Sequence, residues 1–216
     1  MSRFSIAFAE ILKRFNLSLI GGDTTRGALS ITVQAMGLCD KAKVLKRDSA
    51  EPGDKIYVTG NLGDAAIGLR AILDNLDDDA LQSCVSRINR PEARVLFAQQ
   101  LTSCSKCAID ISDGLVADLG HILEASHRGA EILLSSIPVS PNARYYFEKY
   151  NEGKTDWSML LTQGDDYELC FTASSEHDSF ISELAAKHGL LVSCIGEITG
   201  SDVLEFIDSN GETEVI

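Results

Sequence analysis

The chain has 216 residues, with 19 Lys and Arg against 32 Asp and Glu, a formal net charge of −13 and 44% hydrophobic residues. With a mean hydropathy of +0.02 and a pI near 4.6, this composition excludes wholesale disorder, a fibrous chain and a nucleic-acid binder with a broad basic face. No apolar run is long enough to span a bilayer, and the first residues lack the unbroken apolar core of a signal peptide.

In chain order, apolar residues at 4, 8, 11, 12 and 15 predict a helix near 3–16, followed by strands at 17–21 and 29–38. Residues 40–54 are polar and end in the turn signal Glu51-Pro52-Gly53-Asp54, which marks a domain junction. Beyond it, strands are expected at 55–59, 107–111, 130–134, 167–173 and 190–196. Helices are expected at 65–75, 77–88, 91–102, 113–127, 141–150, 155–162 and 177–188, with Gly129 and Gly189 as helix stops. Alternation of the two types places the chain in the α/β class, in its mixed α+β form. Asp77-Asp78-Asp79 falls at a helix start, where carboxylates complement the dipole.

Charge is unevenly spread. Residues 1–50 carry +4 and residues 51–216 carry −17, and Lys41, Lys43, Lys46 and Arg47 form a compact basic cluster that reads as a phosphate site or a solvated loop. The six cysteines, at 39, 84, 104, 107, 170 and 194, read mainly as small hydrophobes in a reducing, cytoplasmic setting. Cys104 and Cys107 have CxxC spacing, but no second pair or well-placed His accompanies them.

Four segments could carry chemistry. Gly21-Gly22-Asp23-Thr24-Thr25-Arg26-Gly27 is a Gly-Gly turn, or a loop that lets a phosphate approach while Asp23 holds magnesium. Asp110-Ile-Ser112-Asp113-Gly114 follows an apolar strand, so its two carboxylates either converge on a hard cation or serve the start of the next helix. Asp118 and His121 share a helix face and read as a structural hydrogen-bonded pair. Gly164-Asp165-Asp166-Tyr167-Glu168 is a turn before a strand, and Thr59-Gly60-Asn61-Leu62-Gly63-Asp64 has the layout of a phosphate cradle without the ending of a P-loop. No GxSxG, HExxH or GxGxxG motif occurs.

Taken together, Ile20–Gly27, Pro52–Gly60, Ala108–Leu115 and Gly164–Phe171 resemble, in that order, the thiamine-monophosphate kinases of the aminoimidazole-ribonucleotide-synthetase-like superfamily. The resemblance implies a C-terminal domain at 51–216 with helices layered on a mixed sheet, and a remnant of an N-terminal ATP-binding domain at 1–50. It implies transfer of the γ-phosphate of ATP to thiamine monophosphate with Mg²⁺ as cofactor, and no nucleic-acid or membrane partner. Carried over by position, Gly22, Asp23, Arg47 and Ser112 would contact ATP. Asp23, Asp110 and Asp113 would be magnesium ligands. Asp165 falls where the family usually has a substrate-contacting glutamate. The acceptor is a phosphate oxygen already ionised, so positioning and charge neutralisation suffice and no catalytic acid or base is assigned.

Family members begin with a Gly-Asp-Asp-type metal site and pair as homodimers through the N-terminal domain. This sequence starts in what would be that domain's last helix, and past Val203 it lacks the expected aromatic-containing tail. It therefore reads as a fragment or a shortened gene product whose pairing is in doubt. The alternatives are a non-catalytic remnant that binds nucleotide or a partner subunit, or another ATP-using member such as a selenophosphate-synthetase-like or hydrogenase-maturation-like protein. The expectation is little or no kinase activity from this chain alone. Robust thiamine diphosphate formation from Mg-ATP by the purified chain would contradict it.

Overall fold

The computed structural model describes residues 2–214 and residue 216. Contacts divide the chain into two compact units, Met1–Cys39 and Asp40–Ile216.

In the first unit, helix α1 (Ser2–Arg14) stacks Phe4 on Phe8 one turn apart, with ring centroids 5.7 Å apart. Asn16, at φ 53°, ends it: Leu17 N donates to Leu12 O at 2.8 Å and Asn16 N to Lys13 O, the paired bonds of a left-handed C-terminal cap. The strands expected at 17–21 and 29–38 do not form among the described residues. Alternating β-branched residues favour an extended chain, but a strand exists only where a neighbour takes up its hydrogen bonds. Leu29 accordingly stays 94% exposed.

The second unit is built on a seven-stranded mixed sheet. Its strands are β1 (Lys55–Thr59), β2 (Cys107–Ile111), β3 (Gly129–Leu133), β4 (Glu168–Ala173), β5 (Val192–Thr199), β6 (Leu204–Ile207) and β7 (Thr213–Glu214), in the order β2-β4-β1-β5-β3-β6-β7. All neighbours are antiparallel except β3 and β6. The helices are α2 (Asp64–Leu73), α3 (Gln82–Asn89), α4 (Val95–Leu101), α5 (Leu115–Ser126), α6 (Pro141–Tyr150), α7 (Trp157–Thr162) and α8 (Asp178–His188).

The period of two in a strand sends alternate side chains to two separate cores. Ile56 and Val58 of β1, Ile109 and Ile111 of β2 and Cys170 of β4 join Ile67, Leu119, Phe147 and Leu160 of α2, α5, α6 and α7. On the other face, Tyr57 and Phe171 stack at 5.1 Å and pack with Phe97 and Leu101 of α4 and Ile181 and Leu184 of α8. β1 and β4, neighbours in the sheet, are therefore covered on both sides.

Residues 40–50 pack with this unit. Lys46 N donates to Lys106 O, Ala108 N donates to Lys46 O, and Ala50 is part of the larger core. Three expectations shift. The helix expected from residue 91 begins at Val95, because Arg94 before it is drawn to Glu168. His127, at φ 55°, rather than Gly129, ends α5; Gly129 opens β3, where a Cβ would lie 2.3 Å from Val203 O. β6 and β7, too short to stand out in an acidic segment, complete the sheet.

The start of α2 has no cap of its own. Asp166, distant in sequence, supplies it: its carboxylate accepts from Gly63 N at 2.8 Å and Ala65 N at 3.3 Å. Burial pushes its pKa up to about 7 despite these bonds, and burial raises that of neighbouring Asp64 as well. The unfolded chain releases these protons at about pH 4 and the folded chain holds them longer. For Asp166, stability contributed by the protonated form is thus lost as pH rises from about 4 to 7, by about 1.4 kcal/mol per pH unit, and Asp64 acts in the same direction. Urea unfolding of Asp166→Asn across this window should give a shallower decline than the parent chain; an unchanged slope would contradict the assignment.

Candidate functional site

Strand β2 delivers the first carboxylate. Ile109 and Ile111 point into the core, so Asp110 between them is exposed, paired in register with Leu169 of β4. The turn Ser112-Asp113-Gly114 then leads into α5. Gly114 has φ 104°, and a Cβ there would lie 2.7 Å from the Thr162 carbonyl carbon, so only glycine fits. Asp118, 3% exposed, accepts from Ser112 N at 2.8 Å and Asp113 N at 2.9 Å through one carboxylate oxygen. The Asp113 side chain is left exposed.

A second turn lies against the first. Asp165 N donates to Ser112 O at 2.9 Å and Tyr167 N to Ile111 O at 2.8 Å. The contact is tight: a Cβ on Gly164 would lie 1.9 Å from Ser112 O. Asp165 and Tyr167 adopt φ of 69° and 50°, conformations that non-glycine side chains hold only where surrounding structure enforces them. Burial alternates through the turn, with Asp165 and Tyr167 exposed and Asp166 and Glu168 buried. The Asp165 charge, with smaller contributions from burial, Asp110 and Asp113, raises the Tyr167 phenol above its ordinary value. Asp110, Asp113 and Asp165 thus share one electrostatic neighbourhood, and among the described residues none is ion-paired to a Lys, Arg or His.

What enforces the second turn is Glu168, 1% exposed. Arg94 grips its carboxylate with two nitrogens at 2.7 and 2.5 Å, and Thr59 Oγ1 donates to it at 2.6 Å. Arg87 donates to Glu168 at 2.7 Å and to Asp166 O at 2.9 Å, spanning Tyr167 from behind. Neither Arg87 nor Arg94 stood out in the sequence, where each is one basic residue in a helical stretch.

The structure brings together Asp110, Ser112, Asp113 and Asp165. Arg47 is not among them: its carbonyl accepts from Ser126 Oγ at the last residue of α5, about 18 Å along that helix from the Asp113 turn. Gly22 and Asp23 belong to the first unit, where both are exposed and Asp23 accepts from Thr24 N at 2.7 Å. The 59–64 loop is filled from within, by Asp166 at the helix start and by Leu160 against Gly63. Asp118 bonds the backbone upstream of α5, and His121 is exposed. All six cysteines are free; burial raises the thiols of Cys104 and Cys107, consistent with packing residues.

The exposed donors are all oxygens, which suits magnesium. Among the described residues, no three His, Cys, Asp or Glu side chains form a ready-made cage.

Among known families, the AIR synthase related protein, C-terminal domain, matches residues 51–209. A thiamine-monophosphate kinase of Haemophilus influenzae is 41% identical over 203 residues, 92% of this chain and 60% of the relative. The crystal structure of thiamine-monophosphate kinase from Stenotrophomonas maltophilia K279a superposes with a TM-score of 0.70 at 34% identity, covering 79% of this chain and 54% of that one. AaThiL complexed with AMPPCP and TMP gives a TM-score of 0.67 at 30% identity, over 80% of this chain and 52% of that one. The chain spans about three fifths of the length of the curated relatives it matches. No helix among the described residues is long and apolar enough to cross a membrane.

The contact between the two turns predicts opposite outcomes at two glycines. Gly164→Ala should lower stability by about 1–3 kcal/mol, the range for overpacking. Gly120→Ala, within α5 with nothing inside 4 Å of its added Cβ, should raise it by about 0.5–1 kcal/mol. Urea unfolding reads both, and a neutral Gly164→Ala would show that the turns are not in close contact.

Proposed function

The chain belongs to the AIR synthase related protein family through its C-terminal domain at residues 51–209, and from that footing we propose that it serves as a thiamine-monophosphate kinase. The reaction is transfer of the γ-phosphate of ATP to the phosphate of thiamine monophosphate. The observation that carries this reading is the junction of the Ser112 and Asp165 turns, which gathers exposed carboxylates that, among the described residues, have no Lys, Arg or His ion-pair partner. It occurs in a chain whose relatives of comparable sequence are thiamine-monophosphate kinases.

Asp110 and Asp113 hold Mg²⁺, which when bound neutralises phosphate charge and fixes the orientation of the polyphosphate. The Ser112 hydroxyl, half-buried in the same turn, donates to the nucleotide. Asp165 faces thiamine monophosphate, its carboxylate held forward by the left-handed backbone beneath it. No side chain is needed as a strong base, because the attacking oxygen is already ionised. Six free cysteines support a reducing, cytoplasmic location.

Calorimetric titration with Mg-AMPPCP and with thiamine monophosphate tests the division of roles. Asp110→Asn and Asp113→Asn should each weaken Mg-AMPPCP binding about tenfold or more, a loss of about 1.4 kcal/mol. Asp165→Ala should weaken thiamine monophosphate binding and leave Mg-AMPPCP nearly unchanged. Undiminished Mg-AMPPCP binding in both asparagine variants would overturn the reading.

A further inference from the structure

We propose that Asp118 is a positioning residue that occupies the two backbone N–H groups just before α5, keeping phosphate off them, and so makes the Asp110–Asp113 turn a metal site. The proposal rests on the functional reading above and concerns how that site is made selective.

Successive free backbone N–H groups in a turn can bind a phosphate or another anion directly. In the turn before α5 this opportunity is removed. The N–H groups of Ser112 and Asp113 both donate to a single Asp118 oxygen, at 2.8 and 2.9 Å, and Asp118 N donates to Gly114 O at 3.0 Å. The carboxylate is 3% exposed and, among the described residues, has no ion-pair partner. The turn therefore takes one shape, in which Ser112 O meets Asp165 N at 2.9 Å while the Asp113 side chain remains exposed. What the turn offers a ligand is then its exposed carboxylates rather than the N–H groups of Ser112 and Asp113.

The test uses the full chain with Asp118→Ala and Asp118→Asn. The asparagine removes the charge yet retains an oxygen able to accept both N–H groups. Binding of Mn²⁺ alone, binding of AMPPCP in EDTA, and hydrogen exchange at Ser112 and Asp113 are measured on each. Loss of a group that orients metal ligands lowers metal affinity by about 10–100-fold. Asp118→Ala should show a fall of that size, faster exchange at both amides and a gain in metal-free AMPPCP binding. Asp118→Asn should stay within about threefold of the parent for Mn²⁺, by the same orienting logic. Parental Mn²⁺ affinity in Asp118→Ala overturns the proposal. So does an equal loss in both variants, which would assign the effect to charge alone. Absence of Mn²⁺ binding by the parent chain itself would overturn the metal reading, and this proposal with it. Should Asp118→Ala not fold, amide protection and Mn²⁺ affinity in Asp118→Asn decide the matter.

Discussion

The buried carboxylate of Glu168 is the constraint on which the rest of the site depends. A charge removed from water is tolerated only when its partners are close and well aligned, and Glu168 has Arg94, Arg87 and Thr59 around it. These partners come from β1, from α3 and from the residue that precedes α4, so one side chain ties the central strands to the helical layers. Arg87 extends the tie to the backbone of Asp166, and the chain is thereby held in left-handed exceptions on either side of it, at Asp165 and Tyr167. The strain sits at the turn that presents Asp165, and the buried ion cluster sustains it. Removing one arginine would leave a buried charge short of a partner, a more severe change than losing a surface ion pair.

Seen this way, the acidic residues divide into two groups with different work. Asp118, Asp166 and Glu168 are buried and spend their oxygens on backbone N–H groups, arginines and a threonine. Asp110, Asp113 and Asp165 are exposed. The first group shapes the turns and the second meets the solvent, although Asp165 and Asp166 are adjacent in the sequence. A net charge of −13 is compatible with binding polyanions under this arrangement, because a divalent cation supplies the positive charge that the exposed aspartates lack.

Much of the second unit could be read in advance. The apolar run Cys107–Ile111 marked a strand that brings Asp110 to its C-terminal end, and the Ser112-Asp113-Gly114 segment marked the start of α5. The buried acids were harder to read. Spacing paired Asp118 with His121 on a helix face, but the groups it serves are backbone N–H groups before the helix, which carry no residue-type signal. An acid in the first turn of α5 was the available clue. Asp165 and Asp166 are adjacent and chemically identical, and what separates them is the α2 start some hundred residues upstream. The strands expected at 17–21 and 29–38 failed for a related reason: alternation reports a preference for extended backbone, whereas pairing depends on a neighbour that local sequence does not specify.

The central claim is that the Asp110–Asp113 turn, closed from behind by Asp118, holds a divalent cation through its exposed carboxylates. Crystals grown with Mn²⁺ and AMPPCP test it most directly through anomalous scattering at the manganese edge. The account predicts a peak bounded by the Asp110 and Asp113 carboxylates, with a phosphate oxygen in its shell and the Ser112 and Asp113 N–H groups still bonded to Asp118. A phosphate seated directly on those N–H groups, with no anomalous peak beside the two aspartates, would contradict it.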